Sequence, residues 1–247
     1  MKLSVYFTPH GLESSQIAGR PVLVLDVLRT TSTMVAALTH GARAVIPASS
    51  SADALELANA LDRDDVLLVG ERAYRTIDGF DLGNSPADMT PEAVDGKTLI
   101  MSTSNGTAAL LTAEGGDPVV VGAVLNFSAA ADAARAAFEE KRELIILCAG
   151  HDRRFALEDA YVAGMYARRV LPARLSRRYE LNDGAIAARE LVRLYGDKWK
   201  KGVGASAAAR HLRRLDLARD VDVATEVDRC DIVPTFFERQ VRVQPPA

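Results

Sequence analysis

Residues 147–159 bring together side chains that are typical of a catalytic or anion-binding loop. Two arginines, Arg153 and Arg154, suit a phosphorylated ligand, and the adjacent acids Glu158 and Asp159 suit a divalent metal. An apolar run before the loop predicts a buried strand, and ligands of open α/β sheets bind where strands run out into such loops. We therefore expect a site for an anionic ligand, with Mg²⁺ as the metal that these oxygen donors favour.

The same loop also has the Cys-x5-Arg spacing of a thiol-dependent phosphatase, from Cys148 to Arg154. In such enzymes backbone N–H groups cradle the phosphate and the arginine binds it in a bidentate manner. Against this interpretation, Asp152 would repel phosphate and raise the pKa of the thiol. A cysteine at a strand end is also usually a small buried apolar residue. The sequence favours a metal-dependent site and leaves the thiol mechanism open.

Two further acids are predicted at strand ends. Asp26 interrupts an apolar strand, which is costly unless a metal or Arg29 pairs with it, and Glu71 follows another apolar strand through a glycine. The catalytic candidates are Asp26, Glu71 and Arg29, and the metal-ligand candidates are Asp26, Glu71, Glu158 and Asp159. Adjacent helical side chains diverge by about 100°, so we expect one of the last two to face the metal. The alternatives are a structural Asp26–Arg29 pair and stabilisation of the two adjacent acids by the helix dipole.

Two hydroxyl-rich segments, 30–38 and 102–110, are identical at five of nine positions. They predict two equivalent turns whose backbone N–H groups bind an anion at a helix start. The alternative is convergence, because Ser and Thr cap helices and Ala favours them. The substrate-binding candidates are Thr31, Ser32, Thr33, Thr103, Ser104, Asn105, Gly106 and Thr107, together with Arg72 and Arg154.

The composition narrows the class of protein. The net charge of -3, without a basic tail, gives no indication of nucleic-acid binding. Cys148 and Cys230 form no Cys-x-x-Cys pair, which argues against a zinc ribbon or a disulfide framework. With neither a signal peptide nor a membrane-spanning run, we expect a cytoplasmic protein that does not bind membranes. The oligomeric state, a homodimer included, stays open.

Strand and helix patterns alternate over the first 150 residues, as in 21–27 (strand) and 31–38 (helix). This alternation predicts an α/β fold with a largely parallel sheet and helices on both faces. Helices are then expected at 156–170, 183–195 and 205–219, followed by a final strand at 232–243. The whole chain, 1–247, is interpreted as one unit or as two closely joined α/β lobes, 1–125 and 126–247.

Several motifs occur in one order along the chain: 26–29 (DVLR) with 31–33 (TST), 70–72 (GER), 80–86 (FDLGNSP), 103–107 (TSNGT), and 148–150 (CAG) with 157–159 (LED). Together they resemble those of the 2-phosphosulfolactate phosphatase family. The resemblance runs from the first strand to residue 164, and 233–234 (VP) is similar near the end.

The resemblance implies an α/β fold unlike the common phosphatase folds and a Mg²⁺-dependent acid phosphatase. Its substrate would be a small anionic phosphate ester, 2-phosphosulfolactate, which is hydrolysed to 3-sulfolactate and phosphate on the route to coenzyme M. The residues themselves leave two alternatives open. One is a Cys148-dependent phosphatase, and the other is a binding protein that holds a phosphorylated small molecule without hydrolysing it.

Overall fold

Strands and helices alternate along the chain, as the sequence pattern predicts. The computed structural model describes residues 1–62 and 65–243. The strands are β1 Lys2–Tyr6, β2 Val22–Leu25, β3 Ala44–Pro47, β4 Val66–Arg72, β5 Arg75–Thr76, β6 Thr98–Ser102, β7 Val119–Gly122, β8 Glu143–Cys148, β9 Glu180–Leu181, β10 Pro234–Phe237 and β11 Gln240–Val243. The helices are α1 Ser14–Ile17, α2 Thr30–Thr39, α3 Ser51–Asn59, α4 Pro91–Val94, α5 Gly106–Thr112, α6 Phe127–Lys141, α7 Leu157–Val170, α8 Asp183–Tyr195, α9 Trp199–Gly204, α10 Ala207–Arg214 and α11 Ala218–Val223.

The strands form a sheet of order β5-β4-β6-β3-β11-β10-β7-β2-β8-β1-β9. The strands within each half of the sheet are parallel: β4, β6 and β3 on one side, and β7, β2, β8, β1 and β9 on the other. The short edge strand β5 is antiparallel to β4. The antiparallel hairpin of β10 and β11 lies between them and places Thr235 opposite Val120 and Val241 opposite Val45. Strands from both of the possible lobes, 1–125 and 126–247, therefore belong to one sheet. No helix of the described residues is long and apolar enough to cross a membrane.

The central strand β2 explains why helices cover both faces. All four of its residues are buried, as expected for a parallel strand between two layers. Because side chains alternate along a strand, Leu23 and Leu25 pack into the cluster formed with α6, α7 and α8, while Val22 and Val24 pack with α2 and α5. The predicted α/β fold, with a largely parallel sheet and helices on both faces, is confirmed.

Two predicted elements are wrong in detail. The segment 232–243 is a hairpin instead of one strand, and it turns at Glu238 and Arg239, both of which have positive φ. The predicted helix 205–219 is two helices, α10 and α11, interrupted near Asp216, whose φ is also positive. Glycine or asparagine usually marks such turns, so these positions carried no sequence signal. The short helix α9 was not predicted.

The two hydroxyl-rich segments are not structurally equivalent. The helix of the first begins at its first residue, Thr30, whereas the helix of the second begins at its fifth, Gly106. Ser102, which aligns with Thr30, is still in strand β6. The shared residues therefore occupy different positions relative to their helix starts, which favours convergence over repeated turns.

Candidate functional site

A cavity of about 250 Å³, here called the inner cavity, lies where β2, β4, β6 and β8 end. Three buried carboxylates line it from three different segments: Asp26 after β2, Glu71 at the end of β4 and Glu158 at the start of α7. Arg29 and the exposed Asp152 line it as well. The structure therefore brings together six of the sequence-predicted residues, the three buried acids and Arg29 with Ser104 and Asn105, at the carboxyl edge of the sheet, the usual ligand position in α/β folds.

Asp26 lies between the starts of helices α2 and α5. A Cβ atom added at Gly106 would lie 2.3 Å from Asp26 Oδ2, so only glycine lets the α5 backbone approach this carboxylate. The side chain is 7% exposed, and it is hydrogen-bonded to Thr30. Burial, reinforced by the charge of Glu71, raises the pKa of Asp26 to about 6. A cation beside the carboxylate would offset both penalties.

Glu71 is held by two backbone N–H groups from different segments. Its Oε1 accepts from the N–H of Ser104 and its Oε2 accepts from the N–H of Tyr74, each at 2.8 Å. The first contact ties the end of β4 to the loop before α5, and the second closes the turn after β4. Since one lone pair on each oxygen is left, the fixed carboxylate can still accept a ligand on its cavity side.

The adjacent acids Glu158 and Asp159 have different surroundings. Glu158 lines the inner cavity, and burial raises its pKa to about 7. Asp159 is 1% exposed, and its oxygens accept from the N–H groups of Val27 (2.9 Å) and Gly150 (3.1 Å). Asp159 thus joins the loops after β2 and β8, while Glu158 is the member of the pair that faces the site.

Arg29 is fixed by a residue that the sequence analysis did not identify. Its Nη1 lies 2.7 Å from Oδ2 of Asp220 in helix α11, and its Nη2 donates to the carbonyl of Tyr74 at 3.0 Å. Both charged side chains are 3% exposed. The other Asp220 oxygen, Oδ1, accepts from Ser85 at 2.7 Å. Arg29 thus forms its buried ion pair with Asp220 and not with Asp26, the pair that was the structural alternative for that acid.

Three aromatic rings, those of Tyr74, His151 and His211, line the inner cavity. Tyr74 lies between two histidines, with its ring centroid 5.7 Å from that of His151 and 4.7 Å from that of His211. Tyr74 and Ala73 both have positive φ, the backbone of a two-residue hairpin turn that glycine or asparagine usually occupies. Burial, with nearby carboxylates, raises the pKa of Tyr74 to about 12, so its hydroxyl stays protonated.

A second such turn carries His151. Asp152 and Arg153 both have positive φ, and the flanking His151 and Arg154 pair as an antiparallel bridge. Asn105 holds this turn, because its Oδ1 accepts from the N–H of Asp152 at 3.0 Å. Asn105 also lines the inner cavity, as does Ser104. The loop before α5 therefore both forms the cavity wall and positions His151.

Most of the predicted hydroxyl ligands have another role. Thr31, Ser32 and Thr33 donate their hydroxyls to the carbonyls of Asp26, Val27 and Arg29. Thr107 and Thr103 cap each other at the start of α5. The N–H groups of Thr31, Thr33, Ser104 and Thr107 also donate within the protein. These groups stabilise the two turns, which leaves Thr30, Ser104 and Asn105 as the polar wall of the cavity.

Two predicted arginines lie outside the inner cavity. Arg72 is exposed and donates to Ser102 Oγ at 2.8 Å and to the carbonyl of Glu71. Arg154 is exposed and lines a larger neighbouring cavity. Of the arginines predicted to bind substrate or act in catalysis, Arg29 alone lines the inner cavity within the part of the chain that the structure describes.

The loop after Cys148 does not have the form of a phosphate cradle. Its N–H groups donate to protein acceptors: Ala149 to Leu25, Gly150 to Asp159, His151 to Arg154 and Asp152 to Asn105. Cys148 is fully buried, and its burial, followed by the charges of nearby acids, raises the pKa of the thiol well above its usual range. The thiolate that a nucleophile needs is therefore disfavoured.

We expect Cys148→Ser to retain at least about a tenth of wild-type turnover. The serine hydroxyl needs a partner in this apolar site, so the variant should lose stability. Turnover and thermal unfolding of the two proteins measure both effects. A loss of turnover beyond a thousand-fold in a folded protein, or a trapped phosphocysteine, would establish the thiol as the nucleophile.

The oxygen donors of the inner cavity suit a hard cation. No group of three or more His, Cys, Asp and Glu side chains among the described residues is arranged to hold a metal ion by itself. Magnesium, however, characteristically takes one or two carboxylates and completes its shell with waters and substrate phosphate oxygens. Asp26, Glu71 and Glu158 offer such carboxylates, and Asn84 Oδ1 is buried without a hydrogen-bond partner in the same wall.

Sequence reasoning missed several residues of this site: Thr30, Tyr74, Asn84, His151, His211 and Asp220. Tyr74 closely follows the motif at 70–72, Asn84 lies in the motif at 80–86, and His151 lies in the loop of residues 147–159. His211 and Asp220 lie in the helical region after residue 204, where no motif marks them.

The chain is similar over most of its length to proteins of one family. A family model described as 2-phosphosulpholactate phosphatase matches residues 6–239. A protein of Caldanaerobacter subterraneus subsp. tengcongensis named "Probable 2-phosphosulfolactate phosphatase" is 35% identical over 242 residues, which are 98% of each chain. A Deinococcus radiodurans protein of the same name is 39% identical over 215 residues, covering 87% of this chain and 86% of its own. The family match contains every residue placed around the inner cavity.

Proposed function

The chain belongs to the 2-phosphosulpholactate phosphatase family, a family of phosphoric monoester hydrolases, and we propose that it hydrolyses 2-phosphosulfolactate to 3-sulfolactate and phosphate with Mg²⁺. The observation that carries this proposal is the inner cavity, where three buried carboxylates from different segments and Arg29 surround one small space. Hydrolysis of a phosphate monoester is extremely slow without a catalyst, and such a charged, preorganised space is what its transition state requires.

Asp26 and Glu71 would hold the magnesium ion, and Glu158 and Asn84 offer further oxygens in the same cavity. When bound, the metal supplies positive charge that neutralises the phosphoryl oxygens in the transition state. Without a cation, the carboxylates alone would repel a phosphate ester. The need for a cation is also consistent with the raised pKa values of Asp26 and Glu158, because burial and the charges of neighbouring acids disfavour the ionised carboxylates.

Arg29 binds the phosphoryl oxygens. Its guanidinium is already oriented by Asp220 and by the carbonyl of Tyr74, so little of its freedom is lost when it takes a further hydrogen bond. Thr30, Ser104 and Asn105 supply further polar groups of the cavity wall. Tyr74, which lies between the two histidines, would shield the bound phosphate from bulk water on its side of the cavity.

We expect phosphate release from 2-phosphosulfolactate to be lost on exhaustive chelation and restored by Mg²⁺. The carboxylates that would hold the metal are preformed, so re-addition should restore the rate without refolding. Steady-state phosphate release, with thermal unfolding recorded in the same buffers, measures the effect. Magnesium should also raise the unfolding temperature, because it binds the folded state preferentially.

The same assay separates the alternatives. Full activity after chelation would contradict the metal-dependent mechanism. If the Cys148→Ser variant then had no activity, the thiol would be the nucleophile. Absence of phosphate release in the presence of Mg²⁺, with the ester bound, would indicate a binding protein.

A further inference from the structure

A second cavity of about 780 Å³, here called the vestibule, adjoins the inner cavity. The two share Tyr74, His151, Glu158 and His211 as lining residues. The outer wall of the vestibule is formed by helix α10 and by the loop before α7. A ligand that reaches the inner cavity from this side must therefore pass through the vestibule.

The two cavities carry opposite charge. Among the described residues, the inner cavity is lined by the acids Asp26, Glu71, Asp152 and Glu158 and by one arginine, Arg29. The vestibule is lined by Arg154, Arg210 and Arg214, and Glu158 on the shared wall is its one acid among the described residues. No described carboxylate pairs with any of these three arginines. Their charge is thus available to a ligand.

Helix α10 is anchored to Glu158, a residue of the inner cavity, through its N-cap residue Ser206. Ser206 caps its first turn by accepting from the N–H of Ala209 at 3.1 Å, and the same side chain is hydrogen-bonded to Glu158. Arg210 and Arg214 lie one turn apart and so share a face of this helix. Arg210 Nη1 also donates to the carbonyl of Ala205 at 2.5 Å, which anchors its guanidinium and leaves other N–H donors for a ligand.

We propose that the vestibule is an anion subsite in which Arg210 and Arg214 of α10, with Arg154 of the loop before α7, bind the sulfonate and carboxylate of the substrate while its phosphate occupies the inner cavity. The inference rests on the proposed function for the identity of the ester. Its own basis is the separation of charge, because a substrate with three anionic groups needs cations beyond the acid-lined inner cavity. Arginine suits this role, since its planar fork matches carboxylate and sulfonate oxygens.

The test compares two esters in wild-type protein and in the double variant Arg210→Gln/Arg214→Gln. One ester is 2-phosphosulfolactate, and the other is ethyl phosphate, which has no further anionic group. Loss of the two cations should raise KM for 2-phosphosulfolactate by about ten-fold or more and leave kcat within about two-fold, because the lost contacts are remote from the transferred group. Ethyl phosphate should be hydrolysed at nearly the same kcat/KM by both proteins.

Arg213→Gln is the matched control. Arg213 lies on the same helix and loses the same charge, but it donates to the carbonyl of Gly204 and lines neither cavity. Its kinetics should follow the wild type for both esters. Equal changes for the two esters, or no change for either, would overturn the subsite.

Binding of 3-sulfolactate, measured by calorimetry, tests the subsite independently of turnover. The double variant should bind it about ten-fold more weakly than wild-type protein. If neither ester is hydrolysed by wild-type protein, the proposed function fails, and this binding measurement still decides the subsite. Equal affinity in the two proteins, or no binding to the wild type, would overturn it.

Discussion

Asp26→Asn should reduce turnover of the phosphate ester by about a hundred-fold or more. Substitution of a residue that only hydrogen-bonds to a metal ligand commonly lowers metal affinity or activity by about ten- to hundred-fold, and Asp26 would be a ligand itself. Asparagine keeps the size of the side chain and can still accept the hydrogen bond from Thr30. What it loses is the negative charge that attracts a cation. Steady-state kinetics at saturating Mg²⁺, together with calorimetric titration of Mg²⁺, measure the loss of turnover and of metal affinity.

The same substitution should raise the unfolding temperature of the metal-free protein at neutral pH. The folded state raises the pKa of Asp26 to about 6, so an ionised carboxylate at pH 7 destabilises the fold relative to the unfolded chain. A neutral amide removes that penalty. Greater stability with lower activity is the expected signature of a residue retained for function.

Asp132→Asn provides the control, because Asp132 lies on helix α6 at the surface, where it pairs with Arg169. It should change neither turnover nor Mg²⁺ affinity. If Asp26→Asn altered turnover by less than about two-fold in a folded protein, Asp26 would be a structural residue of the turn.

The sequence predicted the edge of the sheet at which the candidate site lies. Asp26 and Glu71 interrupt or follow apolar runs, and the carboxyl ends of parallel strands meet at one edge. Glu158 could be predicted only as one of two adjacent acids. The choice between them depends on tertiary hydrogen bonds to Val27 and Gly150, which local sequence does not encode.

The hydroxyl-rich turns show why residue type alone was insufficient. Threonine and serine can bind an anion or satisfy the carbonyls of their own turn, and Thr31, Ser32 and Thr33 do the latter. The sequence could not distinguish these roles, because the distinction depends on where helix α2 begins relative to β2. For Gly106, by contrast, residue type is informative, because the absence of a side chain permits the close approach of α5 to Asp26.

The partner of Arg29 could not be predicted. Arg29 and Asp220 are 191 positions apart, and Asp220 lies in a short helix that the sequence analysis did not delimit correctly. Only the packing of α11 against the β2–α2 loop brings the charges together. Contacts of this kind are set by topology, so a motif search confined to local spacing misses them.

Asp220→Ala should lower the free energy of unfolding by about 3–5 kcal/mol, the range for removing one partner of a buried ion pair. Arg29 would then keep a buried charge without its counter-ion, and Ser85 would lose its acceptor. Turnover should fall by about a hundred-fold, because Arg29 would no longer be held toward the phosphoryl group. Urea unfolding and steady-state kinetics measure the two effects.

Asp222→Ala is the matched control, since Asp222 is an exposed acid on the same helix. The double variant Arg29→Met/Asp220→Ala separates structure from chemistry. With neither charge buried, it should recover a substantial part of the lost unfolding free energy, whereas turnover should stay low because the guanidinium is gone. If Asp220→Ala cost no more than Asp222→Ala in stability and turnover, Asp220 would not be what positions Arg29, and the orientation of the guanidinium would rest on the carbonyl of Tyr74.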